Sequence, residues 1–152
     1  MSLPGNAVIA TNALEAKVNS TTMISNRLYT TGVLQLRATE TGATIIYLHV
    51  SVPAYINGKA QHLKRVDISY KTDNSICYIN STEASICNNG TAITKISDSF
   101  NRNSTSWTSY SINDDTPDPI TGAVLIKLTV QHNATGNAND IEIGPVQVTL
   151  TD

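Results

Sequence analysis

Aromatic and charged side chains are scarce in this chain of 152 residues. Only 5% of the residues are aromatic and 14% are charged, whereas about 25% of residues are charged in an average soluble protein. Ten basic residues against twelve acidic ones give a formal net charge of -2. The chain therefore lacks the positive field that favours nucleic acids and anionic membranes, and we expect no nucleic-acid partner.

Long hydrophobic runs are also missing. No run of about 18 apolar residues occurs, so no membrane span is predicted. The first thirty residues show neither the basic nor the apolar region of a signal peptide. The start Met-Ser-Leu-Pro-Gly fits a trimmed or mature domain, and it fits a cytoplasmic or phage-encoded protein equally well.

Hydroxyl and amide side chains dominate what is present, since Ser, Thr and Asn together make up 49 of the 152 residues. Apolar and polar residues alternate with a period of two, and helical periodicity is almost absent. The sequence therefore predicts an all-β, antiparallel β-sandwich of two sheets and about eight strands, forming one domain over 1–152. In the segment 1–30, Asn12 and Glu15 can cap a short helix through Val18, while 7–10 reads as extended.

Strands are predicted at 43–52 and 63–71, with weaker ones at 33–38, 91–96 and 106–112. Asn-Gly pairs at 57–58 and 89–90 predict tight turns. In the closing third, apolar residues alternate over 124–130 and again over 141–150, which predicts a long hairpin. The alternation changes parity at Gly144 and Pro145, where we expect a bulge.

The two cysteines pose a question of geometry. A turn at 80–83 would place Cys77 and Cys87 across a hairpin, within bonding distance of one another. One long strand running to the turn at 89–90 would separate them by about 33 Å and exclude a disulfide. The long strand is favoured, because Asn-Gly is the stronger turn signal.

Catalytic motifs are not apparent. His49, His62 and His132 lack metal-ligand spacing, and no serine lies in a GxSxG context. The twelve acidic residues give no preferred carboxylate pair for glycoside hydrolysis. We therefore expect a protein that is not an enzyme.

The densest acidic segment contains Asp114, Asp115 and Asp118, and it is read as a loop between two strands. Oxygen ligands gathered in a short loop suit Ca²⁺, which makes these three residues the candidate metal ligands. Asp, Asn and Pro are equally typical of an ordinary turn. Apart from this calcium site, no cofactor is expected.

Few rings are available for stacking on a ligand, and Trp107 and Tyr55 are the candidate ligand-binding residues. Strand parity separates Trp107 from Tyr110. Trp107 shares a face with Ser109 and Ser111, whereas Tyr110 alternates with them and is expected in the core. Trp107 is therefore the best candidate for an exposed ring.

Glycosylation sequons begin at Asn19, Asn80, Asn89, Asn103 and Asn133. Sequons are used only in a glycosylating compartment. Together with the low lysine content and the β pattern, they favour an extracellular or cell-surface location.

The order of segments "LKRVDISYKTDN", a strand ending in "NNG", "STSWTSYSI", "ITGAVLIKLTV" and "DIEIGPVQVTL" resembles jelly-roll β-sandwich modules of exported bacterial surface proteins. The resemblance covers roughly residues 63–151. It implies a jelly-roll-like sandwich in an extracellular setting and supplies no functional residue.

Three functions follow as hypotheses. The first is a non-enzymatic extracellular module, a structural or adhesive part of a cell-surface protein whose partners are other surface proteins or glycans. The alternative is a carbohydrate-binding module, with Ca²⁺ as an optional ligand. The third is a structural subunit of a virion or phage tail, because the same architecture builds capsids.

Overall fold

The structure is a computed structural model that describes residues 7–11, 17–18, 24–28, 32–88 and 90–152. All regular secondary structure in these residues is β-strand. The strands are β1 (Ala7–Thr11), β2 (Lys17–Val18), β3 (Ile24–Leu28), β4 (Leu34–Ala38), β5 (Gly42–Ser51), β6 (Tyr55–Ile56), β7 (Lys59–Ala60), β8 (His62–Thr72), β9 (Tyr78–Asn88), β10 (Thr91–Asp98), β11 (Thr108–Pro119), β12 (Ala123–His132) and β13 (Ile141–Thr151). The described residues contain no helix with the length and hydrophobicity needed to cross a membrane.

Two antiparallel sheets form a β-sandwich, which confirms the predicted fold class. The first sheet has the strand order β11-β8-β13-β4-β3, and β1 also pairs with β13. The second sheet has the order β10-β9-β12-β5-β2, while β6 and β7 form a separate small hairpin. The sheets contain eleven strands within the described residues, rather than the eight expected.

The core lies between the sheets and follows from the alternation in sequence. In β12, Val124, Ile126, Leu128 and Val130 are at most 3% exposed, whereas the residues between them are only half-buried. Successive side chains of a strand point to opposite faces, so each apolar series covers the inner face of its sheet. Burial of these inner faces is the main force that holds the two sheets together.

The predicted hairpin of the closing third is wrong. β12 pairs with β5 and β9 in the second sheet, whereas β13 pairs with β8, β4 and β1 in the first. The chain between them, 133–140, crosses from one sheet to the other. Each strand buries one face in either arrangement, so the alternation in sequence does not distinguish a hairpin from a crossing between layers.

The predicted turns and the bulge are confirmed. Asn57 and Gly58 have φ angles of 50° and 78° between β6 and β7, and Gly90 has a φ of 80° between β9 and β10. Asn and Gly tolerate such left-handed backbone, which matches the twist of a two-residue hairpin. The pairing of β13 with β8 shifts its register between Ile143 and Val146, which places the bulge at Gly144 and Pro145.

The long strand predicted to run to the turn at 89–90 is present as β9, and both cysteines are free. Cys77 lies before the strand and is fully buried, while Cys87 lies near its far end and is half-buried. The extended backbone between them keeps the two sulfur atoms far beyond the length of a disulfide.

The extended reading of 7–10 is confirmed by β1. The predicted helix through Val18 is wrong at its end, because Lys17 and Val18 pair with β5. Asn12 and Glu15, its proposed caps, lie outside the described residues. Of the sequon asparagines, Asn80, Asn103 and Asn133 are exposed, and the other two lie outside the described residues.

Candidate functional site

The single tryptophan lies on the outer face of the first sheet. Trp107 directly precedes β11, and 47% of its surface is exposed. Tyr110, which has the opposite parity, is only 8% exposed and lies in the core, as predicted. The segment before Trp107 is held in place because the backbone N–H of Thr72 donates to the carbonyl of Ser104 at 2.7 Å.

The indole ring rests against a glycine of the bulge in β13. A Cβ atom placed on Gly144 would lie 2.9 Å from Cζ3 and 3.3 Å from Cη2 of Trp107, and 3.4 Å from Cβ of Ser69. The first distance is shorter than real Cβ contacts. Any side chain at position 144 would therefore collide with the indole in its present position. The bulge therefore seats one edge of the indole while about half of the side chain stays open to solvent.

A polar groove lies beside this ring. We call it the face groove; it has a volume of about 270 Å³ and is lined by Arg65, Asp67, Ser69, Ser109, Pro145 and Gln147. The side chains come from β8, β11 and β13, which are neighbours in the first sheet. Ser69 and Pro145 connect the groove to the tryptophan, because Ser69 contacts the Gly144 position and Pro145 follows it in the bulge.

The charges in the face groove are already paired. Nε of Arg65 donates to Oδ2 of Asp67 at 3.0 Å, and the hydroxyl of Ser111 donates to Oδ1 of the same carboxylate. Both carboxylate oxygens of Asp67 therefore accept hydrogen bonds, one from Arg65 in the same strand and one from Ser111 in β11. The groove presents hydroxyl, amide and paired ionic groups, so it suits an uncharged ligand rich in hydroxyl groups better than a strong anion or cation.

Gly144→Ala tests whether the bulge positions the indole. Gly144 has no left-handed φ, so the substitution changes only the space beneath the ring. We expect the indole to be displaced while the fold is retained, because the added Cβ meets the end of a half-exposed side chain. Acrylamide quenching of tryptophan fluorescence should become stronger in the variant. Unchanged emission and quenching would contradict this packing.

Tyr55, the second predicted ligand-binding residue, lies far from Trp107. It is 67% exposed in the β6–β7 hairpin, next to the start of β8 at His62. Thr108, the residue after Trp107, pairs with Tyr70, which lies eight residues further along β8, or about 26 Å at 3.3 Å per residue. The structure therefore does not bring the two rings into one site, and a role for Tyr55 stays a prediction from the sequence.

The acidic segment is not the loop that the sequence predicted. Residues 113–118 belong to β11, and the pairing with β8 is interrupted between Asn113 and Asp118. Oδ1 of Asp114 accepts the backbone N–H of Thr116 at 3.0 Å, and Asp118 pairs with Lys95 at 3.4 Å. Within the part of the chain that the structure describes, no three acidic, His or Cys side chains form a metal cluster.

Asp114, Asp115 and Asp118 are therefore not brought together as a ligand set. The carboxylates of Asp114 and Asp118 instead have different partners, the backbone of Thr116 and the side chain of Lys95 in β10. Calcium binding at this segment stays a prediction from the sequence.

Sequence reasoning found the tryptophan but missed the groove. Arg65, Asp67 and Gln147 lie on polar faces of predicted strands, which is where any solvated side chain is expected. The alternation of apolar and polar residues in β8 and β13 predicted that Arg65, Asp67 and Gln147 lie on the solvent-facing side of their strands. The pairing of β13 with β8, which sets Gln147 opposite Asp67, had no signal in the sequence.

No protein-family model matches the sequence, and no curated protein matches it either. Solved structures do match the fold. A low-affinity xylan-binding module, CBM86 from Roseburia intestinalis, aligns with a TM-score of 0.52 and 16% identity over 95% of this chain and 96% of that one. The module TmCBM61, solved in complex with β-1,4-galactotriose, aligns with a TM-score of 0.50 and 16% identity over 97% and 88% of the two chains.

A third similar structure is the glycosylation-associated protein complex Gap123 from Streptococcus agalactiae. It aligns with a TM-score of 0.59 and 9% identity over 97% of this chain, which spans 26% of that one. At these identities the likeness concerns the fold alone. The chain thus has a jelly-roll β-sandwich of the kind found in carbohydrate-binding modules.

Proposed function

We propose that this protein is a carbohydrate-binding module that binds a glycan on the outer face of its first sheet. The observation that carries the proposal is the half-exposed Trp107, seated on Gly144 beside a polar groove. The similarity of the fold to a xylan-binding module and to a module solved with β-1,4-galactotriose supports the same reading.

The chemistry of a sugar matches this arrangement. A pyranose ring has an apolar face of C–H groups and a rim of hydroxyl groups. The apolar face packs on an open aromatic ring, while the rim needs hydrogen-bond partners at the side. Trp107 provides the ring, and Ser69, Ser109 and Gln147 provide donors and acceptors in the face groove.

This proposal reverses the order in which the sequence alone ranked the functions. A structural or adhesive surface module was the first hypothesis, and glycan binding was its alternative. Binding needs no catalytic group, and the contacts proposed here involve no metal ion. The expected setting is extracellular or at the cell surface, with a glycan as the partner.

Trp107→Ala is expected to weaken glycan binding by about 5- to 150-fold, if a sugar ring stacks on the indole as strongly as a nucleobase does, at roughly 1–3 kcal/mol. The first step is a titration of the natural protein with xylan, β-1,4-galactan, mixed-linkage β-glucan and mannan. Because Trp107 is the single tryptophan, its fluorescence reports the site directly in the natural protein, and calorimetry with the polysaccharide that binds measures the affinity of Trp107→Ala. A polysaccharide that binds should shift the emission and protect the ring from acrylamide.

Tyr55→Ala is the matched control, because it removes another exposed ring near the other end of β8. The affinity of Tyr55→Ala for the polysaccharide should equal that of the natural protein. Two results would overturn the proposal. One is that no polysaccharide in the panel protects Trp107 from quenching, and the other is that Tyr55→Ala weakens binding while Trp107→Ala does not.

A further inference from the structure

A second concave feature opens at the edge of the sandwich. It lies between β10 and β11, which are edge strands of opposite sheets. We call it the edge cavity; its volume is about 350 Å³, and its lining includes Asp98, Phe100, Arg102, Ser111 and Asn113. Among these, Phe100 is 73% exposed, more than any other large hydrophobic residue in the described part of the chain.

The wall of the edge cavity is held rigidly. Nη2 of Arg102 donates to Oδ2 of Asp98 at 2.5 Å, and the backbone N–H of Phe100 donates to Oδ1 of the same carboxylate at 2.7 Å. The guanidinium carbon lies 4.5 Å from the centre of the Tyr110 ring. Tyr110 is fixed in turn by a 2.6 Å hydrogen bond with the hydroxyl of Thr82.

The exposed phenyl ring is oriented by the same arginine. The guanidinium carbon of Arg102 lies over the ring of Phe100, 5.4 Å from its centre. A cation over one face of an aromatic ring is attracted by its quadrupole, which restrains the ring. With 73% of Phe100 exposed, most of the ring surface stays available for packing against a ligand.

One hydrogen bond links the lining of the edge cavity to that of the face groove. Ser111 lines the edge cavity, and its hydroxyl donates to Asp67 in the face groove. Trp107 and Ser111 are four residues apart along the chain, about 13 Å in an extended strand. This distance exceeds the size of a single sugar ring and is spanned by a short oligosaccharide.

The charges exclude an anionic ligand in the edge cavity. Arg102 is neutralised by Asp98, and Asp67 stands next to Ser111. A carboxylate or phosphate group would therefore find no unpaired cation there, because Arg102 is paired with Asp98 and Arg65 with Asp67. Hydroxyl groups of a neutral chain need no cation and can bond to Ser111 and Asn113.

We propose that the edge cavity is a second sugar-binding subsite, so that the ligand is an uncharged linear oligosaccharide running across β11 from Trp107 to Phe100. This inference rests on the proposed function and adds the length and charge of the ligand to it. A site made by Trp107 and the face groove alone would bind a short sugar as tightly as a long one.

The test uses xylo-oligosaccharides and β-1,4-galacto-oligosaccharides of two to six units, titrated by calorimetry against the full chain. In the series that protects Trp107, affinity should rise with length by up to about tenfold before it levels off. Phe100→Ala should abolish that rise and leave the affinity for the disaccharide unchanged. The variant should fold normally, because most of the ring is exposed.

Ile93→Ala is the matched control, since Ile93 is an exposed apolar residue of β10 that does not line the edge cavity. It should retain the full dependence on length. Equal affinity for all lengths, or an unchanged rise in Phe100→Ala, overturns the second subsite while binding at Trp107 stands. If neither series protects Trp107, the inference fails for these ligands, and the polysaccharide titration decides separately whether the proposed function fails with it.

Discussion

Asp140→Ala is expected to lower the free energy of unfolding by about 3–5 kcal/mol, the usual cost of removing one partner of a buried ion pair. Asp140 is 2% exposed and lies where the crossing segment 133–140 enters β13. Its carboxylate accepts from Nε2 of Gln35 at 2.6 Å and from Nε and Nη2 of Arg37 at 2.9 and 2.7 Å. These bonds fasten the crossing segment to β4.

The backbone of Asp140 makes further contacts that the substitution keeps. Its N–H donates to Oδ2 of Asp73 at 3.1 Å, and its carbonyl accepts the N–H of Asp73 at 3.0 Å. The expected decrease in the free energy of unfolding therefore comes from the contacts of the Asp140 side chain alone. Asp140→Asn retains the shape of the side chain without the charge, and it should give an intermediate loss of about 1–3 kcal/mol.

Urea unfolding followed by circular dichroism measures both variants, with the stability change read from the midpoint at constant slope. Asp115→Ala is the control, because Asp115 is an exposed acid of β11 and its removal should change stability by less than about 0.5 kcal/mol. A loss below about 1 kcal/mol in Asp140→Ala would show that these hydrogen bonds do not hold the crossing segment.

His132→Leu is expected to remove a large part of the acid sensitivity of the fold. His132 ends β12, is fully buried, and has no hydrogen-bond partner for either ring nitrogen among the described residues. Burial lowers the pKa of His132 below its ordinary value of 6.5, and the nearby Asp140 opposes this shift. The folded protein therefore resists protonation of this ring.

The sign of the pH dependence follows from this lowered pKa. In the unfolded chain the imidazole binds a proton near pH 6.5, whereas in the folded protein it does so only at lower pH. The stability associated with the neutral ring is complete above about pH 6.5 and is lost as the pH falls toward the folded-state pKa. Between the unfolded-state and folded-state pKa values of His132, the free energy of unfolding falls by up to about 1.4 kcal/mol for each pH unit of acidification.

Unfolding in urea at several pH values between 7.5 and 5 measures this effect. The natural protein should lose stability over the range, and His132→Leu should lose less, with the difference growing toward acid pH. His49→Leu is the control, because His49 is exposed on the outer face of the second sheet and should leave the profile unchanged. Parallel profiles for the natural protein and His132→Leu would contradict the prediction.

The strands themselves were predictable, because alternation is a local property of the chain. The apolar series of β5, β8, β12 and β13 each mark one buried face, and the structure buries those faces. The turn at Asn57 and Gly58 and the bulge at Gly144 and Pro145 were equally visible. The turn and the bulge each depend on the backbone preferences of one or two residues, and these preferences exist whether or not a partner strand is present.

The candidate site was predictable only in part. Parity put Trp107 on the face opposite Tyr110, and the structure has both in those places. The contact between the indole and Gly144 joins β13 to the start of β11, and no sequence pattern reports it. The same holds for the acidic segment, because no sequence pattern reports that Asp114 accepts a hydrogen bond from Thr116 while Asp118 pairs with Lys95.

The sequence by itself determined the fold class, the positions of most long strands and the inner face of those strands. It could do so because a period of two commits every second side chain to the core. The tertiary structure alone decided which strands are neighbours: it put β12 and β13 in different sheets and brought β8, β11 and β13 together around Trp107. Strand pairing is long-range, and many pairings bury the same faces equally well, so the choice depends on packing of the whole sandwich rather than on any local pattern.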